Sequence, residues 1–246
     1  MRSSNPMLRD SVWQNARIID RGETMTVAGT AAKTLLLFIV MLMPAVWTCW
    51  KLLAGGSPAL LMPLVWGGML GGLVLAIVTV FKPAWAPVTA PIYAICQGFV
   101  IGFLSTVFEA MYPGVVVQAV ALTFGVAAVM FAAFSTGLLK PTQGFRAFVV
   151  AATGGLMLVY LVSIALSFFG RSIPFIHESG MWGIIFSLVA IGIAALNLIL
   201  DFGFIAAGAQ QGAPKQLEWY GAFGLLVTLL WLYIELLRLL GKLRRR

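Results

Sequence analysis

The sequence predicts an all-α membrane protein, a bundle of seven transmembrane helices. Of its 246 residues, 61% are hydrophobic and only 10% are charged, and the mean hydropathy is +1.00. An average soluble domain has about 25% charged residues. A soluble chain of this length could not bury so much apolar surface, so the solvent of these residues must be lipid.

Charged residues divide the chain into seven uncharged runs, and six of these have at least 17 residues. About 20 apolar residues cross a bilayer as a helix, and backbone groups in lipid must hydrogen-bond within their own segment. Short turn sequences such as "GGSP" and "KPTQG" separate the runs. The predicted spans are residues 33–53, 59–81, 88–109, 114–138, 146–169, 181–204 and 219–240.

These spans predict a single domain with two polar ends. A polar, cytoplasmic N-terminal tail covers residues 1–32, the seven-helix domain covers 33–241, and a basic tail covers 242–246. With the N-terminus in the cytoplasm, nine Lys and Arg residues lie inside and seven outside, as the positive-inside rule favours. The C-terminal cations then lie outside, against that rule, and a seventh segment that does not fully cross is the alternative.

The charge pattern and the reactive residues exclude several classes of function. The net charge of +8 is scattered between apolar runs, without the aromatic-lined basic face of a nucleic-acid-binding protein. The single histidine, His177, falls in a predicted loop, and Cys49 and Cys96 lie in apolar runs without metal-site spacing. We therefore predict neither an enzyme nor a resident cofactor.

Asp201 is the most informative residue, because it interrupts the apolar stretch "ALNLILDFGFI". A carboxylate at the centre of a membrane helix costs about 2.5–3.5 kcal/mol on insertion scales. Helical steps of three and four lead back from Asp201 to Asn197, and then to small or polar residues at 194, 190 and 187. This stripe predicts a face that packs inside the bundle, where burial disfavours the charged form.

Two interpretations of Asp201 follow from this placement. It could change charge near physiological pH, and so gate a path or hold a cation, or it could be a hydrogen-bonded structural carboxylate. A calcium ion would need several oxygen ligands, which Asn197, Thr228, Glu218 and backbone carbonyls could supply. The spacing alone does not choose between calcium and a proton.

Two further acidic residues are predicted on the outer side. Glu109 closes the third span before "MYPG", where an interfacial position is the alternative to a functional one. Glu235 precedes Arg238 by three residues, a spacing that allows an ion pair on one helix face.

Several segments of the chain resemble the Bax inhibitor-1/YccA family of transmembrane Bax inhibitor motif proteins. They are "SSNPML", "MTVAGTAAKT", "FEAMYPGVVVQAVALTFG", "LNLILDFGFI" and "LEWYGAFGLLVTLLWLYIELLRLLG", in that order. The "DF" of the sixth span and the "EWY" that opens the seventh are most similar to the bacterial branch. The resemblance implies a bundle with a central sixth helix, in a bacterial inner membrane.

The resemblance also implies a pH-sensitive calcium leak. In well-understood members an aspartate of the sixth helix pairs with an aspartate of the seventh as the proton sensor, helped by an arginine of the second helix. Asp201 matches the first aspartate, but Thr228 stands at the position of the second, and residues 59–81 contain no arginine. Asp201 must therefore act alone or recruit Glu218.

Two functions remain open from the sequence. The first is a slow, proton-modulated leak for calcium or another cation, centred on Asp201. The second is an interaction module that associates with a membrane quality-control protease, without transport, and docks through residues 1–32. No oligomeric state is predicted.

Overall fold

A computed structural model describes residues 24–169 and 180–245, and it confirms the predicted all-α fold. Within these ranges seven helices are long and apolar enough to cross a membrane. They are α1 (Val27–Leu53), α2 (Pro58–Phe81), α3 (Ala86–Met111), α4 (Val115–Ser135), α5 (Gln143–Phe168), α6 (Met181–Gln210) and α7 (Leu217–Arg244), with a 3-10 turn at Pro83–Trp85.

Local capping explains why some helix ends differ from the predicted spans. α1 begins at Val27 rather than at residue 33, because the Thr26 side chain accepts a hydrogen bond from the backbone of Gly29. α4 ends before residue 138, where Gly137 adopts a positive φ of 74° that a helix cannot continue through. α6 and α7 both run past their predicted ends, to Gln210 and Arg244.

Part of the predicted organisation lies outside the described residues. This holds for most of the tail 1–32 and for the outer loop that contains Arg171, His177 and Glu178. The described chain forms two compact units, and α6 and α7 contribute to both. The first unit extends to Ala110 and includes Phe204–Leu226, and the second comprises Met111–Gly203 and the chain from Val227 onward.

Glycines bring the helices of the first unit close together. A Cβ atom added at Gly98 or Gly102 of α3 would collide with the α1 backbone at Met41 and Ala45. Gly68 of α2 meets the backbone of Cys96 in the same way, whereas Gly67 faces open space. The face of α3 that carries Gly98 and Gly102 is therefore a packing face, as is common between membrane helices.

Burial differs strongly among the seven helices. In α7, 61% of the most apolar window is buried, and no other helix exceeds 33%. The resemblance implies that the sixth helix is central, but the seventh helix is more extensively buried than the sixth. Large apolar side chains such as Leu60, Phe81 and Trp182 are exposed, as expected of helices whose outer faces meet lipid.

Candidate functional site

The predicted stripe on α6 is buried inside the second unit. Ser187, Ala190 and Ala194 are almost fully buried, whereas the neighbouring Leu188 is 54% exposed. Asp201 is half-buried at the other end of the same face. The sequence prediction of a packed face is confirmed for Ser187, Ala190 and Ala194, and Leu188 on its flank is exposed.

Thr228 of α7 is the hydrogen-bond partner of Asp201. Its hydroxyl donates to the Oδ2 atom of the carboxylate, with 2.6 Å between the two oxygen atoms. Thr228 is also the residue at the position of the second aspartate implied by the resemblance. The structure therefore brings together the two predicted positions, but with a hydroxyl donor where a second carboxylate would repel.

Asn197 links α6 to α5 one helical turn away from Asp201. Its side-chain nitrogen donates to the Thr153 hydroxyl at 2.8 Å and to the Ile193 carbonyl oxygen at 2.9 Å. This second polar contact makes α5 part of the same site.

Glu235 of α7 is buried with only 2% of its side chain exposed. Its Oε1 atom accepts a hydrogen bond from the Tyr160 hydroxyl of α5 at 2.7 Å and from the Arg238 guanidinium at 3.2 Å. The predicted pair with Arg238 is confirmed. Arg238 also lies over the Tyr160 ring, 5.4 Å from its centroid.

Lys242 ties the end of α7 to the beginning of α6. Its ammonium donates to the Gly183 carbonyl oxygen and to the Ser187 hydroxyl, both at 2.8 Å. The long Lys242 side chain is half-buried rather than extended into solvent.

These contacts share one antiparallel register between α6 and α7. Thr228, Glu235 and Lys242 are spaced seven residues apart, and so are Asp201, Ala194 and Ser187. Asp201 meets Thr228 at one end and Ser187 meets Lys242 at the other, so Glu235 falls opposite Ala194. We call this line the polar seam: Asp201, Thr228, Asn197, Thr153, Glu235, Tyr160, Ser187 and Lys242.

The length of the polar seam can be compared with the thickness of the hydrocarbon core of a bilayer. Fourteen residues separate Ser187 from Asp201. At 1.5 Å per helical residue they span about 21 Å. This length is about two-thirds of the roughly 30 Å thickness of a hydrocarbon layer.

Comparison with known proteins decides the family. The model of the family described as "Bax inhibitor 1 like" matches residues 5–245. The chain belongs to the Bax inhibitor 1 like family. A search of curated proteins found no match.

Membership in the Bax inhibitor 1 like family extends over all seven helices, and hence over the whole polar seam. The sequence resemblance is thereby confirmed at the level of the family. Because residue 228 is a threonine, Asp201 is the one carboxylate at that end of the polar seam. Glu235 is a separate carboxylate, two helical turns further along α7.

Glu218 belongs to a different cluster, in the first unit of this Bax inhibitor 1 like protein. Only 1% of Glu218 is exposed, and its carboxylate accepts hydrogen bonds from the Thr26 backbone at 2.9 Å and from the Thr26 hydroxyl at 3.0 Å. It also forms an ion pair with Lys33. The Met25 backbone donates to the Ala213 carbonyl beside it, at 2.6 Å.

This cluster fixes the start of α1 to the start of α7. Gly29 leaves room here for the Glu218 carboxylate, which a Cβ atom at that position would displace. Lys33 also lies over the Trp219 ring, 5.4 Å from its centroid. The predicted recruitment of Glu218 by Asp201 stays a prediction.

The remaining sequence candidates do not form a metal centre. Glu109 is half-buried near the end of α3. Among the described residues, no three His, Cys, Asp or Glu side chains come together.

Several residues of these clusters were not singled out as site residues from the sequence, among them Lys33, Thr153, Tyr160 and Lys242. Lys33 and Lys242 carried a usable signal, since each is a cation at or near the end of a predicted span. Thr153 and Tyr160 lie in an apolar run with no charge to mark them. Their roles depend on how α5 is rotated against α6 and α7.

Proposed function

We propose that this Bax inhibitor 1 like protein is a slow cation leak of the bacterial inner membrane, with calcium as its ion and its N-terminus in the cytoplasm. The hydrogen bond between Asp201 and Thr228 would be the proton-sensitive gate. The observation that supports this most is a carboxylate within a membrane-spanning helix, tied to the next helix by a neutral hydroxyl. Ionisable residues in such positions commonly mark ion paths and proton relays.

The strength of this bond depends on the charge of Asp201. A hydroxyl that donates to an ionised carboxylate forms a bond roughly twice as strong as one between neutral groups. When Asp201 takes up a proton, the charge is lost and the tie between α6 and α7 weakens. The open population, and with it the leak, should therefore rise as the pH falls.

A pair of two carboxylates would respond in the opposite direction. Two neighbouring acids are held together by a shared proton and repel when both are ionised. Such a pair loosens as the pH rises. The replacement of the second acid by Thr228 thus predicts an inverted pH response for this chain.

Calcium flux into proteoliposomes at pH 6 and pH 8 tests the proposal. The wild type should conduct more at pH 6, and Asp201→Asn should conduct at the higher level at both values, because the amide cannot ionise. Thr123→Val is a matched control, since Thr123 is buried in α4 and donates only within its own helix, to Ala119 at 2.7 Å. It should behave as the wild type.

Equal, background-level flux in every one of these samples would overturn the leak. It would leave the interaction module as the function to pursue, through deletion of residues 1–23 and a test of association with a membrane protease.

A further inference from the structure

The ammonium group of Lys242 lies at the end of the polar seam, fourteen residues along α7 from Thr228. It donates to the Gly183 carbonyl and the Ser187 hydroxyl, both neutral acceptors, at 2.8 Å. A lysine has three N–H donors, so the charge is held in place by two of them. Among the described hydrogen bonds, these two are the ones that a cation donates to α6.

The charge of Lys242 is not cancelled by Glu235. Glu235 and Arg238 lie seven and four residues before Lys242 on the same face of α7, and their charges have opposite signs. The carboxylate of Glu235 already accepts hydrogen bonds from Arg238 and Tyr160. The end of the seam therefore carries a net positive charge.

A fixed positive charge in a narrow path repels passing cations, and channels use such charges as electrostatic barriers. The Coulomb energy is proportional to the product of the two charges. A divalent ion at a given position is therefore repelled twice as strongly as a monovalent one. A cation that follows the seam from Asp201 meets this barrier about 21 Å further on.

We propose that Lys242 is the electrostatic barrier of the polar seam, which keeps the leak slow and disfavours divalent relative to monovalent cations. The inference rests on the proposed function. Ser187 and Gly183 hold the ammonium in the seam, and the ion-pair partner of Glu235 is Arg238 rather than Lys242.

A purely structural role for Lys242 gives different expectations. If the side chain only ties α7 to α6, any residue that donates a hydrogen bond should replace it. Lys242→Gln keeps a donor but loses the charge, whereas Lys242→Arg keeps both. The comparison of these two variants separates charge from tethering, and Lys242→Met removes both.

The experiment measures calcium and potassium flux into proteoliposomes for the wild type, Lys242→Gln, Lys242→Arg, Lys242→Met and Asp201→Asn. Arg245→Gln is the control, because Arg245 is an exposed cation at the same end of the chain, beyond α7. Lys242→Gln and Lys242→Met should raise calcium flux severalfold and potassium flux by less. Lys242→Arg and Arg245→Gln should match the wild type.

The other outcomes separate the barrier at Lys242 from the gate at Asp201. Flux that depends on Asp201 but is unchanged in Lys242→Gln overturns the barrier and leaves the gate. If calcium and potassium flux rise equally in Lys242→Met and do not rise in Lys242→Gln, Lys242 only ties α7 to α6, and the barrier is overturned. Flux that rises in Lys242→Gln but does not respond to Asp201→Asn supports the barrier and overturns the gate. Background flux in every variant overturns both.

Discussion

At the scale of single residues, Glu218 and Glu235 are buried carboxylates in ion pairs, and their hydrogen-bond partners differ in charge from the partner of Asp201. Glu218 and Glu235 each accept bonds from a cation and from at least one hydroxyl. Asp201 has the Thr228 hydroxyl as its hydrogen-bond donor. Glu218 and Glu235 each have a cationic partner, whereas the described hydrogen-bond partner of Asp201 is a neutral hydroxyl.

The Glu218–Lys33 pair gives a stability prediction at this scale. Lys33→Met leaves a buried carboxylate without its cation, and breaking a buried pair in this way costs about 3–5 kcal/mol. The thermal unfolding midpoint of the detergent-purified protein should fall clearly. The double variant Lys33→Met, Glu218→Gln should recover part of the loss, because it leaves no unpaired charge.

Lys51→Met is the control for that measurement. Lys51 is exposed and lies over the Trp50 ring, outside any ion pair that the described residues show. Its replacement should change the midpoint little. A Lys33→Met variant as stable as Lys51→Met would contradict the structural role of the pair.

At the scale of helices, two kinds of contact join neighbouring helices: close backbone approach at glycines, and polar contacts. In the first unit, glycines of α3 let the α1 backbone come near. In the second unit, hydrogen bonds join α5, α6 and α7 along the polar seam. Membrane helices associate through these two means, because lipid provides no hydrophobic force between them.

The glycine contact gives a prediction at this scale. Gly102→Leu should destabilise the protein by about 1–3 kcal/mol or more, since the new side chain would have to displace the α1 backbone at Ala45. Gly67→Leu, on the face of α2 with open space around it, should have little effect. The comparison of thermal unfolding midpoints checks both, and equal midpoints would contradict the packing described for α3.

The sequence predicted the helices far better than the contacts between them. Long uncharged runs must be helical in lipid, so the number and order of the spans followed directly. The stripe on α6 was also predictable, because Ser187, Ala194 and Asp201 share a helical face. Their partners depend on the rotation and depth of α5 and α7, which composition does not determine. The seven-residue spacing of Thr228, Glu235 and Lys242 was the available clue to the facing side of α7.

At the scale of the whole molecule, family membership and the seven spanning helices establish a multi-pass membrane protein. In the proposed leak, the polar seam provides a proton-sensitive tie at Asp201 and a fixed cation at Lys242. The distinguishing residue of this chain in that proposal is Thr228, a hydroxyl donor at the position where the resemblance implies a second aspartate.

The role of Thr228 in the proton-sensitive tie is tested by the pH profile of calcium flux in Thr228→Asp and Thr228→Val, compared with the wild type. Loss of a hydrogen bond to a charged group costs about 1.5–3 kcal/mol, so Thr228→Val should raise the flux at pH 8 by roughly ten- to a hundredfold and flatten its pH dependence. Thr228→Asp restores two acids and should invert the slope, with more flux at pH 8 than at pH 6. A wild type and a Thr228→Asp variant whose flux changes in the same direction with pH would contradict the account.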